Sequence, residues 1–226
     1  MHKIKDILKN RVLVLDGAMG TMLQGYNLKE VDFRGTKFKD HPIDLMGNND
    51  ILSITRPDII KEIHYSYLDA GADLIETNTF NANSISQSDY KMEHLVYNLN
   101  LRSAQIARDA CDNFTKLEPG KPRFVCGAIG PTNQTASMSP DVSNPGYRNV
   151  DFDQLMNAYK EQAKGLLDGA LKLIPKSNIV KIITVPGVFE IPVTISKKIN
   201  KFDAFLALGC VIKGETPHFD FISQAS

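Results

Sequence analysis

Three apolar runs in this chain end in small or polar residues: Val12-Leu13-Val14-Leu15 in Asp16-Gly17, Ala72 to Ile75 in Glu76-Thr77-Asn78, and Arg123 to Gly127 in Gly130-Pro131-Thr132. Strand ends of this kind are where α/β barrels place their ligand contacts, and the plainer reading is that such residues only turn the chain. The thiols are Cys111, Cys126 and Cys210; their odd number and lack of Cys-x-x-Cys spacing point to reduced cysteines and not to a disulfide framework. Cys111 falls in a helical pattern and Cys126 in a strand, so the thiols do not converge on a metal. His41, His64 and His94 have no second histidine four residues on, which places His64 and His94 at a helix surface or a helix end. No metal ligand set is assigned.

The elements that must position these residues alternate. Ile4, Ile7 and Leu8 predict a short opening helix, and Val12 to Leu15 a buried strand. Pro57 starts a helix with Ile59, Ile60, Ile63, Tyr67 and Leu68 on one face, and Gly71 closes it. A strand over 72–77, a helix of about 20 residues from near Glu93 to Phe114, a strand over 123–127 and a helix from about Asp153 to Ile174 follow. Past Pro175 the spacing predicts a strand over 179–185, a helix over 189–199, a strand over 204–211 and a helix starting near Pro217. Alternation of this kind is the signature of an α/β fold with a parallel sheet covered by helices. No Pro/Gly/Ser-rich linker, low-complexity tract or internal repeat interrupts it.

Lys+Arg 26 against Asp+Glu 26 leaves a formal net charge of zero, so no long-range field draws the chain to nucleic acid or to an anionic membrane. Neutral or locally bound anionic small molecules are the ligands this balance fits. The N-terminal segment lacks the unbroken apolar core of a signal peptide, and no stretch approaches the ~20 apolar residues of a spanning helix. A cytoplasmic location is expected.

Val14-Leu15-Asp16-Gly17-Ala18-Met19-Gly20-Thr21-Met22, Asp32-Phe33-Arg34-Gly35, Gly47-Asn48-Asn49-Asp50, Ala70 to Phe80 and Gly127 to Asn133 resemble the homocysteine-binding domain of cobalamin-dependent methionine synthase over residues 11 to 167. The resemblance implies the opening three to four βα units of a (β/α)8 barrel. It also implies a substrate end lined by Asp16, Gly17, Glu76, Thr77 and Asn78, where a carboxylate holds the homocysteine ammonium. In that family zinc keeps the homocysteine thiol deprotonated and methylcobalamin supplies the methyl group. The zinc cysteines belong to later barrel strands, which this chain does not reach before leaving the resemblance, so no cofactor is expected in it.

From about Gly169 the chain is similar to lumazine synthase, on Gly169-Ala170-Leu171, Val185 to Pro192 and Leu208 to Asp220. Members condense 5-amino-6-ribitylaminouracil with 3,4-dihydroxy-2-butanone 4-phosphate without metal or organic cofactor. The similarity implies a pyrimidine pocket of Val188, Phe189, Glu190, Cys210, Val211 and Ile212, a phosphate cradle of Gly214, Glu215 and Thr216, and His218 as general acid/base.

Together the two resemblances imply a chimera, with a truncated homocysteine-binding domain over 1–168 and a truncated lumazine synthase domain over 169–226. The back would be a βαβ fragment of a flavodoxin-like parallel sheet. Neither site is complete, and inactivity follows; lumazine synthase activity or non-catalytic homocysteine binding are the alternatives. An oligomer is compatible with the back half, although most of the interface elements of its parent are missing.

Overall fold

The computed structural model describes residues 4–136, 139–170 and 197. The chain divides into two compact units, one of Met1–Gln134 with Phe152–Ile174, the other of Thr135–Asp151 with Pro175–Ser226.

The first unit opens with α1 (Ile4–Leu8) and continues through α2 (Met19–Gln24), α3 (Glu30–Arg34), α4 (Leu52–Thr55) and α5 (Pro57–Asp69) to β1 (Leu74–Glu76). Then come α6 (Ser84–Gln87), α7 (Val96–Leu117), β2 (Phe124–Cys126) and α8 (Phe152–Ala170), with 3-10 turns at Asn49–Ile51, Ser88–Tyr90 and Glu93–Leu95. β1 and β2 pair in parallel, Ile75 opposite Val125, and Leu15 adds a parallel bridge to Leu74. A mixed α/β fold, mostly helical with a small parallel sheet, is therefore what the described residues form.

α5 forms where its pattern predicts. Pro57 occupies the first turn, where its missing N–H costs nothing, and Ile59, Ile60, Ile63 and Leu68 are buried. The three isoleucines join Leu45, Ile51, Leu52, Met92 and Leu99 in one apolar core, and Leu68 packs with Ile75, Ala107, Ala110 and Cys111 in a second. Gly71, at φ +106, turns the chain into β1 in a conformation side chains rarely adopt. α8 lies close on α7 because of two glycines one turn apart. A methyl group on Gly165 would stand 2.6 Å from the Tyr97 carbonyl oxygen, and one on Gly169 would stand 2.8 Å from the Ala104 Cβ. The glycine at which the second resemblance begins thus has a packing role within the first unit.

Two expectations need correction. The run Val12 to Leu15 was expected as a buried strand, yet Val12 is 82% and Val14 57% exposed, and only Leu15 enters a bridge. The segment is anchored through its polar neighbours: Arg11 makes a bidentate pair with Asp73 at 2.6 and 2.8 Å, and the Val14 N–H donates to the same carboxylate. Apolar composition made it a strand candidate, but burial requires a covering neighbour. Among the described residues the hydrogen bonds of residues 14–16 run only to residues 73–76, along one side of the segment. His64, expected at a surface, is fully buried. It sits four residues from both Ile60 and Leu68, on the apolar ridge that faces the core. The elements expected beyond Pro175 lie outside the described residues.

In the second unit, the described residues 139–151 form a polar turn in which Asp141 accepts from the Ser143 N–H and hydroxyl. Arg148 there donates to the carbonyls of Ala136, Pro145 and Tyr147.

Candidate functional site

Asp16 and Glu76 stand at the ends of neighbouring parallel segments, and the Glu76 N–H donates to Asp16 Oδ1 at 2.9 Å. Register decides this. The Asp16 N–H bonds the Leu74 carbonyl, so the carboxylate projects just past the last residue of β1. Burial pushes the Asp16 carboxyl up to about 6, and the neighbouring Glu76 charge adds to the rise. Cys126, the last residue of β2, pairs with Glu76 in the ladder. Its thiol is also raised, first by burial and then by the two carboxylates. Gly17 follows Asp16 with no atom near the place a side chain would take, leaving its backbone open before α2. Asp16, Gly17 and Glu76 are thus brought together at one end of the sheet with Cys126.

Thr77 and Asn78 are present at the same end but face inward. The Thr77 N–H bonds the Cys126 carbonyl, and the Thr77 hydroxyl accepts from the Ala128 N–H at 2.9 Å. Accepting there, it donates to Thr79 Oγ1 at 2.6 Å, and Thr79 in turn donates to the Ala128 carbonyl at 2.8 Å. Gln162 reaches from α8 to donate to the Thr79 carbonyl at 2.8 Å. Asn78 donates to the Asn49 carbonyl and to Ser53 Oγ. These bonds lock the loops after β1 and β2 to each other and to α4, which makes the end of the sheet a rigid platform for the carboxylates. Sequence reasoning passed over Thr79 and Gln162. The only signal for Gln162 is a polar residue on the apolar stripe of α8.

A further buried carboxylate belongs to the segment that Asn78 contacts. Asp50, from the Gly47-Asn48-Asn49-Asp50 stretch, is almost wholly buried; its Oδ1 accepts from the Asn81 N–H, and burial pushes its carboxyl up to about 7.

Cys111 lies on α7 behind the sheet, where its thiol donates to the Phe124 carbonyl and burial pushes its pKa up to about 12. A zinc site needs thiolates or imidazoles converging within about 2.3 Å of one point. The two described thiols occupy different elements and are held protonated, His64 has its pKa lowered to about 4 by burial, and no group of three or more acidic, thiol or imidazole side chains forms among the described residues. This donor set does not fit a zinc centre. Val188, Phe189, Glu190, Cys210, Val211, Ile212, Gly214, Glu215, Thr216 and His218 lie outside the described residues.

Carboxylates at the end of a parallel sheet stand where α/β barrels place their ligand contacts. The family model of homocysteine S-methyltransferase matches residues 13–206, and the chain belongs to that family. Among solved structures it is similar to the Escherichia coli homocysteine methyltransferase MmuM. The metallated form superposes with a TM-score of 0.54 at 21% identity, over 74% of this chain and 54% of that one. The oxidised form gives 0.54 at 20% identity, over 88% and 62%. The likeness is one of fold, and the chain spans a little over half the length of the first of these. No described helix is long and apolar enough to cross a membrane.

Proposed function

We propose that this chain presents the amino-acid end of a homocysteine S-methyltransferase site, in which Asp16 and Glu76 receive the homocysteine ammonium and the Gly17 backbone lines the approach. Thr77 and Asn78 act by holding the platform. One observation carries the reading: the Glu76 N–H to Asp16 bond, which sets two carboxylates side by side at the sheet end of a family member. Paired carboxylates favour a cation, and a bound ammonium offsets the burial that raises Asp16. Methyl transfer further requires a deprotonated sulfur, and the described thiols and imidazoles do not converge on a point that could hold a metal to make one. On the donors described, binding without appreciable turnover is the expected behaviour. Calorimetric titration with L-homocysteine tests it: Glu76→Gln and Asp16→Asn are each expected to weaken binding roughly tenfold, about 1.4 kcal/mol. Heat identical in both variants and the parent chain would sink the assignment. With methylcobalamin and homocysteine, methionine formation is expected at background, with or without added zinc.

For residues 169–226 we propose a lumazine synthase-like segment joined after Asp168, with Phe189 stacking on the pyrimidine and His218 beside the phosphate cradle of Gly214, Glu215 and Thr216. Its support is sequence alone, in Val185 to Pro192 and Leu208 to Asp220. The homocysteine S-methyltransferase match runs on through residue 206, so the two readings compete for residues 169–206. Titration with 5-amino-6-ribitylaminouracil separates them: saturable binding lost in Phe189→Ala favours the join, and no binding removes it.

A further inference from the structure

A cavity of about 150 Å³ opens beside the loop that follows β1, away from the Asp16 and Glu76 carboxylates in sequence and built from other segments. Its lining includes Gly47, Asp50, Ser86, Asp89, Tyr90 and Asn133, and no lysine, arginine or histidine among the described residues. Asp50 is 3% exposed and accepts only N–H donors from the chain, including that of Asn81 at 3.1 Å. A buried carboxylate without a counter-charge is costly. Asp89 stands at the exposed rim, steered by Asn133 Nδ2 at 2.6 Å. Ser86 is buried as well, at 5% exposure, and its hydroxyl has no hydrogen-bond partner among the described residues. Gly47, at φ +98, brings its backbone against the Tyr90 hydroxyl, which would lie 3.4 Å from a side-chain carbon added there.

We propose that this cavity is a binding site for a hard divalent cation of the calcium class. The lining offers oxygen donors: the Asp50 and Asp89 carboxylates, the unpartnered Ser86 hydroxyl and the Tyr90 phenol, completed by water. Oxygen donors in a flexible shell of 6–8 suit calcium, whereas magnesium demands a near-ideal octahedron and zinc prefers nitrogen and sulfur. Two carboxylates, one of them at the rim, balance the charge of a dication. A bound cation would tie the 47–50 segment to the 86–90 segment and stiffen the loop after β1. The proposal is independent of homocysteine binding.

Terbium(III), which takes calcium's oxygen sites and emits when a nearby tyrosine is excited, is the probe. The chain has seven tyrosines and no tryptophan, so the sensitiser can be found by substitution. Titrating the full chain is expected to give saturable emission that calcium displaces and potassium at equal ionic strength does not. Tyr90→Phe is expected to remove most of the emission, and the rim variant Asp89→Asn to weaken terbium and calcium roughly tenfold through loss of one ligand charge, with unchanged far-ultraviolet circular dichroism. Asp50→Asn is expected to weaken them further; should that buried variant fail to fold, Asp89→Asn decides. Absent emission, emission that calcium leaves in place, emission that survives Tyr90→Phe, or a titration that Asp89→Asn does not change would each overturn the proposal.

Discussion

The helical layer between α4 and α7 and the sheet edge at Val12 to Leu15 are both built from aliphatic residues, and they have opposite fates. In the layer, Ile51, Leu52, Ile60, Ile63 and Leu99 are almost completely enclosed. At the edge, Val12, Val14 and Leu15 remain largely open, held by polar contacts: the Arg11–Asp73 pair and backbone hydrogen bonds to residues 73 and 74. Hydrophobicity is the same in both places; the number of neighbours is not. Apolar side chains stabilise a fold only through the surface that a partner removes from water. One carboxylate of the proposed site, Asp16, therefore stands on the sheet edge that contributes little, and the helices behind the sheet carry the stability.

The sharpest way to break this contrast is to make one side chain less apolar in each region. Ile60→Ala is expected to destabilise the chain by about 2–5 kcal/mol, transfer plus cavity, whereas Val12→Thr is expected to stay within about 0.5 kcal/mol. Urea unfolding of the two variants measures both, and equal losses would mean the edge is covered after all.

The next effect is titration within the layer. Burial lowers the His64 pKa from 6.5 to about 4, so below pH 6.5 the unfolded chain binds the proton that the folded chain refuses. Stability from this group is intact above 6.5 and falls as the pH drops toward 4, by about 3 kcal/mol in all. Asp16 and Asp50 carry the opposite sign: their raised pKa values make the fold lose stability as pH rises from 3.8 through about 6 and about 7 respectively. Comparing the pH dependence of His64→Leu with that of the parent chain isolates the histidine, because the carboxylates are common to both. A difference between the two curves that is flat from pH 7 to 4 would mean that His64 titrates freely.

A smaller loss is expected where α8 meets α7. Gly169→Ala places a methyl group against Ala104 and the Leu101 carbonyl and is expected to cost about 1–3 kcal/mol through overpacking. Thermal unfolding reads the loss, and an unchanged Tm would show that the two helices separate without penalty.

Much of the fold was legible because helical periodicity records which face is covered. α5 and α8 begin within a residue of where their patterns place them; the helix expected from near Glu93 opens with a 3-10 turn before α7 proper. The two strands come out shorter than their apolar runs, since pairing stops where the partner stops. His64 was misjudged because a search for metal spacing ignored its place on the ridge between Ile60 and Leu68. At the site, Asp16 and Glu76 were legible as strand-end carboxylates. Their contact was not, because it depends on a parallel register set between residues 60 positions apart. Gln162 and the Asp50 cavity were illegible for the same reason: only the partner across the fold gives each its purpose.

By itself the sequence determined α1, α5, α7, α8 and the two paired strands, along with the strand-end positions of the acidic residues, because each follows from local periodicity or residue type; the short helices α2, α3, α4 and α6 carry too few turns to show a period. Tertiary structure alone decided that Val12 and Val14 stay open to water, that Thr77 and Asn78 bind the platform, and that Asp50 lines a cavity. Those outcomes depend on which distant segment arrives as a neighbour, and burial and hydrogen-bond satisfaction are properties of pairs of segments.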